Sequence, residues 1–290
     1  MAKKNSKNAK TKNNRRQRRP RATTIAGLNQ RVQNHVNMVM DPCGAVLGTT
    51  AYRGSDGIVT KFRINYTGNT TPTTSNYVLC YYPGYNTIWA QQILTGDENI
   101  GLAFSATNAG PGQAFLLATA EAQRAVGACL KFSYTGTELN REGTVYSGVL
   151  PLAACSGASF NQLAVLLQES MRMPDKEIEI KWIPAPAEEN YWGTGPTAPE
   201  DGAGRNVVVI LVKGSLATNT TFRYSANLIA EWKPKYGAGM QTPTPNTPDV
   251  PAGLESVRTV LAGKGDWWTA ASSLAGHAVV AGRRISEVVS

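Results

Sequence analysis

The strongest chemical signal in the sequence is a run of cations near the N-terminus. Residues 1–21 contain five lysines and five arginines and no acid: Lys3, Lys4, Lys7, Lys10, Lys12, Arg15, Arg16, Arg18, Arg19 and Arg21. Such a segment binds polyanions through counterion release, with a salt slope of about −0.7 per phosphate on single strands. No aromatic residue is interleaved, so stacking on bases is not expected. The run predicts salt-sensitive binding of single-stranded nucleic acid with little sequence preference.

Two other interpretations of the cationic run remain open. The stretch 15–21 has the composition of a nuclear or nucleolar address, because short basic runs can act as such signals. A role at a membrane surface has less support, since no lipidation signal accompanies the cations. Binding of nucleic acid is the main interpretation.

Histidine offers little to nucleophilic catalysis in this chain. There are only two, His35 beside the cationic segment and His277 near the C-terminus, and we expect both to lie outside the β domain. No Ser/His or Cys/His pair can then be placed within one folded core. No glycine-rich loop has the phosphate-binding form GxxxxGK followed by Ser or Thr. We therefore expect a non-enzymatic protein with no catalytic residue and no cofactor.

The cysteines and carboxylates do not predict a resident metal. The four cysteines are 37, 49 and 26 residues apart, unlike a zinc or redox motif: Cys43, Cys80, Cys129 and Cys155. We expect four reduced, mostly buried thiols in a reducing compartment. The acidic pairs Glu188/Glu189 and Glu200/Asp201 are chemically suited to calcium between subunits, but solvated loop acids are the simpler interpretation.

Charge and composition divide the chain into segments. Without the ten N-terminal cations, 19 basic residues face 20 acidic ones, so the remainder is almost neutral. We expect a disordered basic arm at 1–24, because it has no large apolar side chain to bury, and a connection at 25–57. With 42% hydrophobic residues, the chain can bury a proper core. We place that core in a domain at 58–236.

Short runs rich in Val, Ile, Tyr, Phe and Thr recur through this domain, separated by Gly, Asn and Pro clusters, and they predict an all-β fold. The expected strands are 58–66, 76–82, 124–134, 143–150, 177–183, 206–216 and 221–232. An eighth is expected near Gln113–Ala118 or at 86–94. In the run 177–183, EIEIKWI, charged and apolar residues alternate, which puts the charges on one solvent-facing side.

One helix is expected among the strands. Ser159 and Gln162 fit a capping box, and the apolar residues that follow have helical spacing. The loop 184–204 is rich in Pro, Gly and acids and too long for a hairpin, so we expect it at an exposed interface.

The C-terminal part changes character twice. Residues 237–252 are rich in proline and predict an extended linker. Residues 253–290 return to a helical pattern, with Leu254, Val257, Val260 and Leu261 on one face. A detached amphipathic helical tail of this kind requires a partner surface.

The segment AEAQRAVGACLKFSYTGTELNREGTVYSG, residues 120–148, closely resembles coat proteins of small icosahedral positive-strand RNA viruses of the tombus-like and noda-like groups. In those proteins an arginine-led strand precedes a YTGTELNR-type turn and a G-T-V strand. Asp41-Pro42 followed by Gly54-Ser-Asp-Gly57, together with the basic arm, extends the resemblance, although Ser55 stands where the family often has proline. The layout is similar over residues 1–236.

The resemblance implies an eight-stranded single jelly roll, an antiparallel β-sandwich that forms the shell, with the arm inside against single-stranded genomic RNA. The partners would then be further copies of the chain, the RNA and, during infection, a host membrane or receptor. The expected location is the virion, after assembly in the host cytoplasm. Noda-like relatives also cleave themselves after an Asn, and Asn246 with Asp56 would be the candidates here. We favour instead a tail helix packed under the shell.

The sequence therefore predicts a viral capsid protein that assembles into an icosahedral shell and packages RNA through Lys3–Arg21. A cellular RNA-binding or RNA-chaperone protein with a β-sandwich that binds a partner is the alternative. A lectin-like β-sandwich has least support, since it does not explain the arm.

Overall fold

The computed structural model describes residues 30–52, 57–85, 87–93, 98–103, 108–167, 170–185, 192–193, 205–236 and 257–258. The strands in these ranges are β1 (Ile58–Thr70), β2 (Asn76–Tyr82), β3 (Thr87–Ile93), β4 (Asn108–Ala109), β5 (Ala120–Tyr134), β6 (Thr144–Pro151), β7 (Ser170–Arg172), β8 (Ile178–Trp182), β9 (Trp192–Gly193), β10 (Asn206–Lys213) and β11 (Thr220–Pro234). The α-helices are α1 (Gln30–Met40), α2 (Gln113–Thr119), α3 (Leu152–Cys155) and α4 (Phe160–Leu167). Short 3-10 turns lie at Pro83–Tyr85 and Glu138–Asn140.

The strands form two antiparallel sheets. The first sheet has the order β1-β11-β5-β8, and β9 also pairs with β5; the second has the order β4-β3-β2-β10-β6-β7. Leaving aside the additional β3, β4 and β9, each sheet has four strands, and chain neighbours are often in opposite sheets. This is the jelly roll that the sequence predicted, a sandwich of eight antiparallel strands.

The main core fills the space between the two sheets. Aromatic side chains dominate it, and Trp182, Phe132, Phe222 and Tyr224 are almost completely buried. Phe132 and Phe222 lie with ring centroids 5.2 Å apart. Between the sheets, Tyr77 of β2 meets Phe222 of β11 edge-on, with ring centroids 5.0 Å apart, a favourable geometry for aromatic pairs.

Strand β10 is apolar on both faces because the second sheet is covered on both sides. Val208, Ile210 and Val212 face the main core. The alternate residues, Val207 and Val209 among them, face a second cluster built with α4. An uninterrupted apolar run is what a strand with two covered faces requires.

Helix α4 covers the outer face of the second sheet and begins as the sequence predicted. The Ser159 amide donates to Oε1 of Gln162 at 2.8 Å, and the Gln162 amide donates to Oγ of Ser159 at 3.3 Å. This is a reciprocal capping box. Phe160, Leu163 and Leu167 then point to the sheet, with the i, i+3, i+7 spacing of one helix face.

The eighth strand of the sandwich differs from the prediction. Residues 113–118 belong to α2, not to a strand, whereas 86–94 does contain β3. The strand that completes the second sheet is β7, only three residues long and paired with β6. Its residues are exposed, so it carries no run of apolar residues by which a sequence could reveal it.

Strand β8 alternates as expected, but its charged side is partly covered. Ile178, Ile180 and Trp182 pack toward the main core. On the other side, Lys181 Nζ donates to the carbonyl of Met40, the last residue of α1, at 3.0 Å. No helix in the described part of the chain is long and apolar enough to span a membrane.

The expectation of four reduced thiols is wrong for one pair. Cys43 and Cys129 form a disulfide with a Cα–Cα distance of 5.9 Å across 86 residues of sequence. A loop of that length stabilises the folded state by about 4–5 kcal/mol in the loop-entropy model. Cys80 and Cys155 are free and buried, as expected.

Two glycines with left-handed backbone provide a matched test of the turn after β5. Gly143 has φ +108°, and a Cβ there would collide with the carbonyl oxygen of Lys213. Gly157 has φ +71° but open space around it. Gly143→Ala should lower the free energy of unfolding by about 3 kcal/mol, because steric collision adds to backbone strain. Gly157→Ala should cost about 1 kcal/mol, from strain alone. Equal losses of unfolding free energy for the two variants, measured by urea denaturation, would show that the backbone around Gly143 shifts to accommodate the added methyl group.

Candidate functional site

Helix α1 and the segment after it form a layer on the outer face of the first sheet. We call residues 30–52 the α1 layer. Met38, Val39 and Tyr52 of this layer are buried against Val126 and Ile229 of the sheet. The layer connects the sandwich with the cationic segment that precedes it in sequence. It is therefore the described structure nearest to the predicted nucleic-acid-binding residues.

A bulge in β5 creates the surface on which the α1 layer lies. The register of β5 with β11 shifts between Ile229 and Ala230, so Val126 has no partner in β11. Ala125 and Ala128 both remain in the main core, while Val126 faces α1. A Cβ on Gly127 would lie 2.7 Å from the Met38 carbonyl oxygen, so glycine permits this close approach.

A carboxylate and a guanidinium are buried beneath the layer. Glu231 of β11 has no solvent exposure and Arg124 of β5 only 4%, and their ion-pair distance is 2.9 Å. Thr50 donates its hydroxyl to Oε2 of Glu231 at 2.7 Å, and the Gly57 amide donates to Oε1 at 3.3 Å. The ring of Tyr52 lies 4.2 Å below the Arg124 guanidinium. Hydrogen bonds and a cation–π contact thus offset part of the cost of burying two charges.

Two side chains of α1 complete this buried polar cluster, which consists of Arg31, His35, Thr50, Tyr52, Arg124 and Glu231. Arg31 donates to the carbonyl oxygens of Thr50 and Tyr52. His35 accepts a hydrogen bond at Nδ1 from the Ala51 amide at 2.8 Å. Its ring also meets Tyr52 edge-on, with centroids 4.5 Å apart. The first two turns of α1 are thereby tied to the backbone of residues 50–52.

The electrostatics of the cluster keep His35 neutral. Burial, followed by the positive charges of Arg124 and Arg31, lowers the pKa of His35 to about 3. Glu231 is the carboxylate that pairs with Arg124. A protonated imidazole would add a third cation to this space and would lose its capacity to accept the Ala51 hydrogen bond.

The arrangement suits attachment rather than catalysis. His35 is 1% exposed, and its Nδ1 is occupied by a backbone amide. The Thr50 hydroxyl is also buried and donates to Glu231. Within the cluster, neither group reaches a substrate from solvent. What the cluster does is fix the α1 layer on the first sheet.

The C-terminal tail meets the same layer. Residues 257–258 are helical, and Val257 is buried against Val32, Val36 and Ala51. Val257 was one of the apolar residues expected on one face of the tail. The start of α1 and this point of the tail therefore lie on the same side of the sandwich.

The structure locates only part of the predicted site residues. His35 lies on α1, before the first strand of the β domain, but it is buried within the layer that packs on the first sheet, where it contacts Ala51 and Tyr52. The ten cations of the arm lie outside the described residues, as do His277, Asp56 and Asn246. The acidic pairs Glu188/Glu189 and Glu200/Asp201 lie outside them too.

The buried ion pair was not predicted from the sequence, although both of its strands carry a signal of it. Arg124 leads the apolar stretch RAVGACL, and Glu231 is the only charge within NLIAEW. A single charge inside an otherwise buried strand is rarely tolerated without a partner. Two such strands in one chain would have indicated an ion pair between them.

The fold is similar to that of proteins in known viral particles. A chain of the T13 particle of infectious bursal disease virus has 9% identity and a TM-score of 0.62, with 87% of this chain and 97% of that chain covered. A chain of the T=1 particles derived from the same virus has 8% identity and a TM-score of 0.51, with 80% and 91% covered. A chain of its Gt strain has 9% identity and a TM-score of 0.51, with 80% and 94% covered. No protein-family model and no curated protein matches the sequence. At such low identity, the similarity concerns the fold.

Glu231→Gln should be one of the most destabilising isosteric changes in the chain. It leaves the Arg124 guanidinium buried without a counter-charge, which costs about 3–5 kcal/mol. Glu177→Gln is the matched control, since Glu177 is 47% exposed in its ion pair with Lys131. That change should cost less than about 1 kcal/mol. Chemical denaturation measures both, and a small loss for Glu231→Gln would contradict the anchoring role.

Acidification should loosen the protein through His35. Its pKa is about 3 when folded and near 6.5 when unfolded, so its contribution is full above pH 6.5 and falls as the pH drops toward 3. Between pH 7.5 and 5.0 the loss should be about 2 kcal/mol. His35→Asn keeps an acceptor for the Ala51 amide without titrating. Over this pH range, the free energy of unfolding of the variant should therefore fall by about 2 kcal/mol less than that of the wild-type protein. Parallel pH profiles of the two proteins would contradict a buried neutral imidazole.

Proposed function

We propose that this chain is a viral capsid protein that assembles into an icosahedral shell and packages single-stranded RNA through its basic N-terminal arm. The observation that carries the proposal is the jelly roll, whose alignment with a chain of the T13 viral particle covers 97% of that chain at a TM-score of 0.62. The resemblance of residues 120–148 to tombus-like and noda-like coat proteins supports a small positive-strand RNA virus as the source. The virion is then the functional location, with assembly in the host cytoplasm.

The position of the α1 layer supports the role of the arm. Helix α1 begins at Gln30, nine residues after Arg21, the last cation of the run. The arm is therefore close in sequence to a helix that lies on the outer face of the first sheet. If this face lines the inside of a shell, every copy contributes ten cations to the interior. The linked arms bind one RNA molecule with an avidity that a single arm does not reach.

A surface suited to contacts between copies lies at one end of the sandwich. Four turns meet there, and they are 71–75, 135–143, 173–177 and 214–219. Glu142 of the second turn accepts a hydrogen bond from Ser215 of the fourth at 2.7 Å, which holds the two together. Leu139 and Leu216, in these turns, are 92% and 62% exposed. We infer that a second copy of the chain covers both leucines, since a rigid surface with exposed large apolar residues favours association.

The proposed role is structural, without catalysis by the chain. The most elaborate polar arrangement among the described residues, the buried polar cluster, is enclosed between α1 and the first sheet. It stabilises the attachment of α1. In the proposed shell, this attachment keeps the helix that follows the arm on one defined face.

Electron microscopy of the full-length protein expressed alone tests the proposal. We expect uniform spherical particles that contain RNA at moderate salt. Replacing the ten cations of the arm with glutamine should remove the RNA, measured by the ratio of absorbance at 260 and 280 nm, while jelly-roll particles still form or change in size. Dispersed small oligomers that bind RNA under all conditions would instead support a cellular RNA-binding protein.

A variant at the end of the sandwich where these four turns meet separates assembly from folding. Leu139→Glu with Leu216→Glu introduces like charges at the proposed contact and should abolish particles while the far-UV circular dichroism remains unchanged. Val165→Glu is the control, because Val165 is 75% exposed on α4, away from this end. Particles from the double variant would contradict this contact without affecting the assignment of RNA binding to the arm.

A further inference from the structure

The disulfide lies at the point where the α1 layer joins the first sheet. Cys43 is in the turn that follows α1, and Cys129 is in the middle of β5. The bond connects the layer to the sheet covalently, in addition to the apolar contacts of Met38 and Val39 and the buried polar cluster. Other contacts around it are few: Lys61 donates to the Cys43 carbonyl at 2.7 Å, and Asn227 donates to the Cys43 sulfur at 3.6 Å. Reducing the disulfide would thus break the covalent link between the α1 layer and the first sheet without removing any side chain from the core.

The two sulfurs differ in their access to solvent. Cys43 is partly exposed, whereas Cys129 has no exposure. A thiolate from solvent can therefore reach Sγ of Cys43, with Cys129 as the leaving group. The second pair provides the contrast, because Cys80 and Cys155 are both buried under the second sheet's outer layer. A hydrogen bond with Cys155, followed by burial, raises the pKa of the Cys80 thiol well above its ordinary value, which makes this pair unreactive.

We propose that Cys43 and Cys129 form a thiol–disulfide exchange site for small thiols and disulfides of the glutathione class, which sets how firmly the α1 layer is held on the first sheet. In a reducing compartment the pair is open and the layer can detach; in an oxidising one the bond closes and locks it. The proposal concerns the folded chain and does not depend on its assembly into a shell.

The exchange balances without any further reagent. One glutathione thiolate attacks Sγ of Cys43, the disulfide bond breaks, and Cys129 leaves as a thiolate that takes a proton from water. A second glutathione thiolate attacks the glutathione sulfur of this mixed disulfide, Cys43 leaves as a thiolate that takes a proton from water, and oxidised glutathione departs. Two thiols are oxidised and one protein disulfide is reduced. In the reverse direction oxidised glutathione accepts the two electrons from the cysteine pair.

Glu179 affects the rate of this exchange. Its carboxylate lies within 4.8 Å of both sulfurs. A negative charge there opposes the approaching thiolate and the Cys129 thiolate that leaves. Glu179 thus slows the reduction of the disulfide by thiols. Glu179→Gln should therefore accelerate reduction several-fold, whereas Glu177→Gln, in the turn just before β8, should leave the rate nearly unchanged.

The test uses the full-length protein equilibrated with glutathione at a series of reduced-to-oxidised ratios. Free thiols are then alkylated, and peptides are mapped by mass spectrometry. We expect Cys43 and Cys129 to change together from disulfide to alkylated thiols, with glutathione trapped on Cys43, while Cys80 and Cys155 stay unmodified in the folded protein. A bond that persists at the most reducing ratio, or two thiols that persist at the most oxidising one, would overturn the proposal.

Hydrogen exchange on the same samples reports what the bond controls. Reduction should raise amide exchange in residues 30–52 by about tenfold or more and leave that of β10 unchanged, because local opening of the layer exposes only its own amides. Cys43→Ser should show the fast exchange at every glutathione ratio. Cys155→Ser, the control, should keep the dependence on the ratio. Equal exchange of residues 30–52 in the reduced and oxidised wild-type protein would overturn the proposal even if a variant failed to fold.

Discussion

The structure depends on one buried carboxylate. Glu231 lies on the outer face of the first sheet with no exposure to solvent, and it binds Arg124 and Thr50. A charged pair on a sheet face must either reach water or be covered by a layer that satisfies its remaining hydrogen-bonding groups. The α1 layer does the latter, through Thr50 from its end and Tyr52 against the guanidinium. The first sheet of this jelly roll therefore relies on the segment that precedes it to cover its buried charges.

The same requirement explains the order of the layers. The two sheets enclose an aromatic core, α4 covers the second sheet, and the α1 layer covers the first. The bulge in β5 and the missing side chain at Gly127 let the end of α1 approach the sheet. The disulfide from Cys43 then fixes the end of the helix to the strand that it covers. The close approach at Gly127, the buried ion pair and the disulfide therefore all lie at one interface, between the α1 layer and the first sheet. Val257 of the C-terminal segment packs against the same layer.

This interface gives the basic arm a defined place of departure. A cationic segment on a flexible chain binds RNA wherever it is attached, but packaging requires that all arms enter the same enclosed space. In the capsid that we propose, anchoring α1 on the first sheet assigns the cations to one face, while the rest of the chain is almost neutral. Contacts between subunits are then separate from contacts with RNA.

The sequence by itself determined the class of fold, most strands and the α4 capping box, because these follow from local periodicity and from contacts three residues apart. The run RAVGACLKFSY predicted β5, and Ser159 with Gln162 predicted the start of α4. It could not determine the role of α1, whose amide-rich stretch looks weakly amphipathic until Glu231, 181 residues after Thr50, is placed beside it. Tertiary structure also decided the pairing of Cys43 with Cys129 across 86 residues and the short, exposed β7, neither of which leaves a local pattern. A sequence reveals a strand or a helix start because the residues that define it are neighbours in the chain. It does not reveal how α1 is anchored, because that depends on charges and hydrogen bonds between residues far apart in sequence.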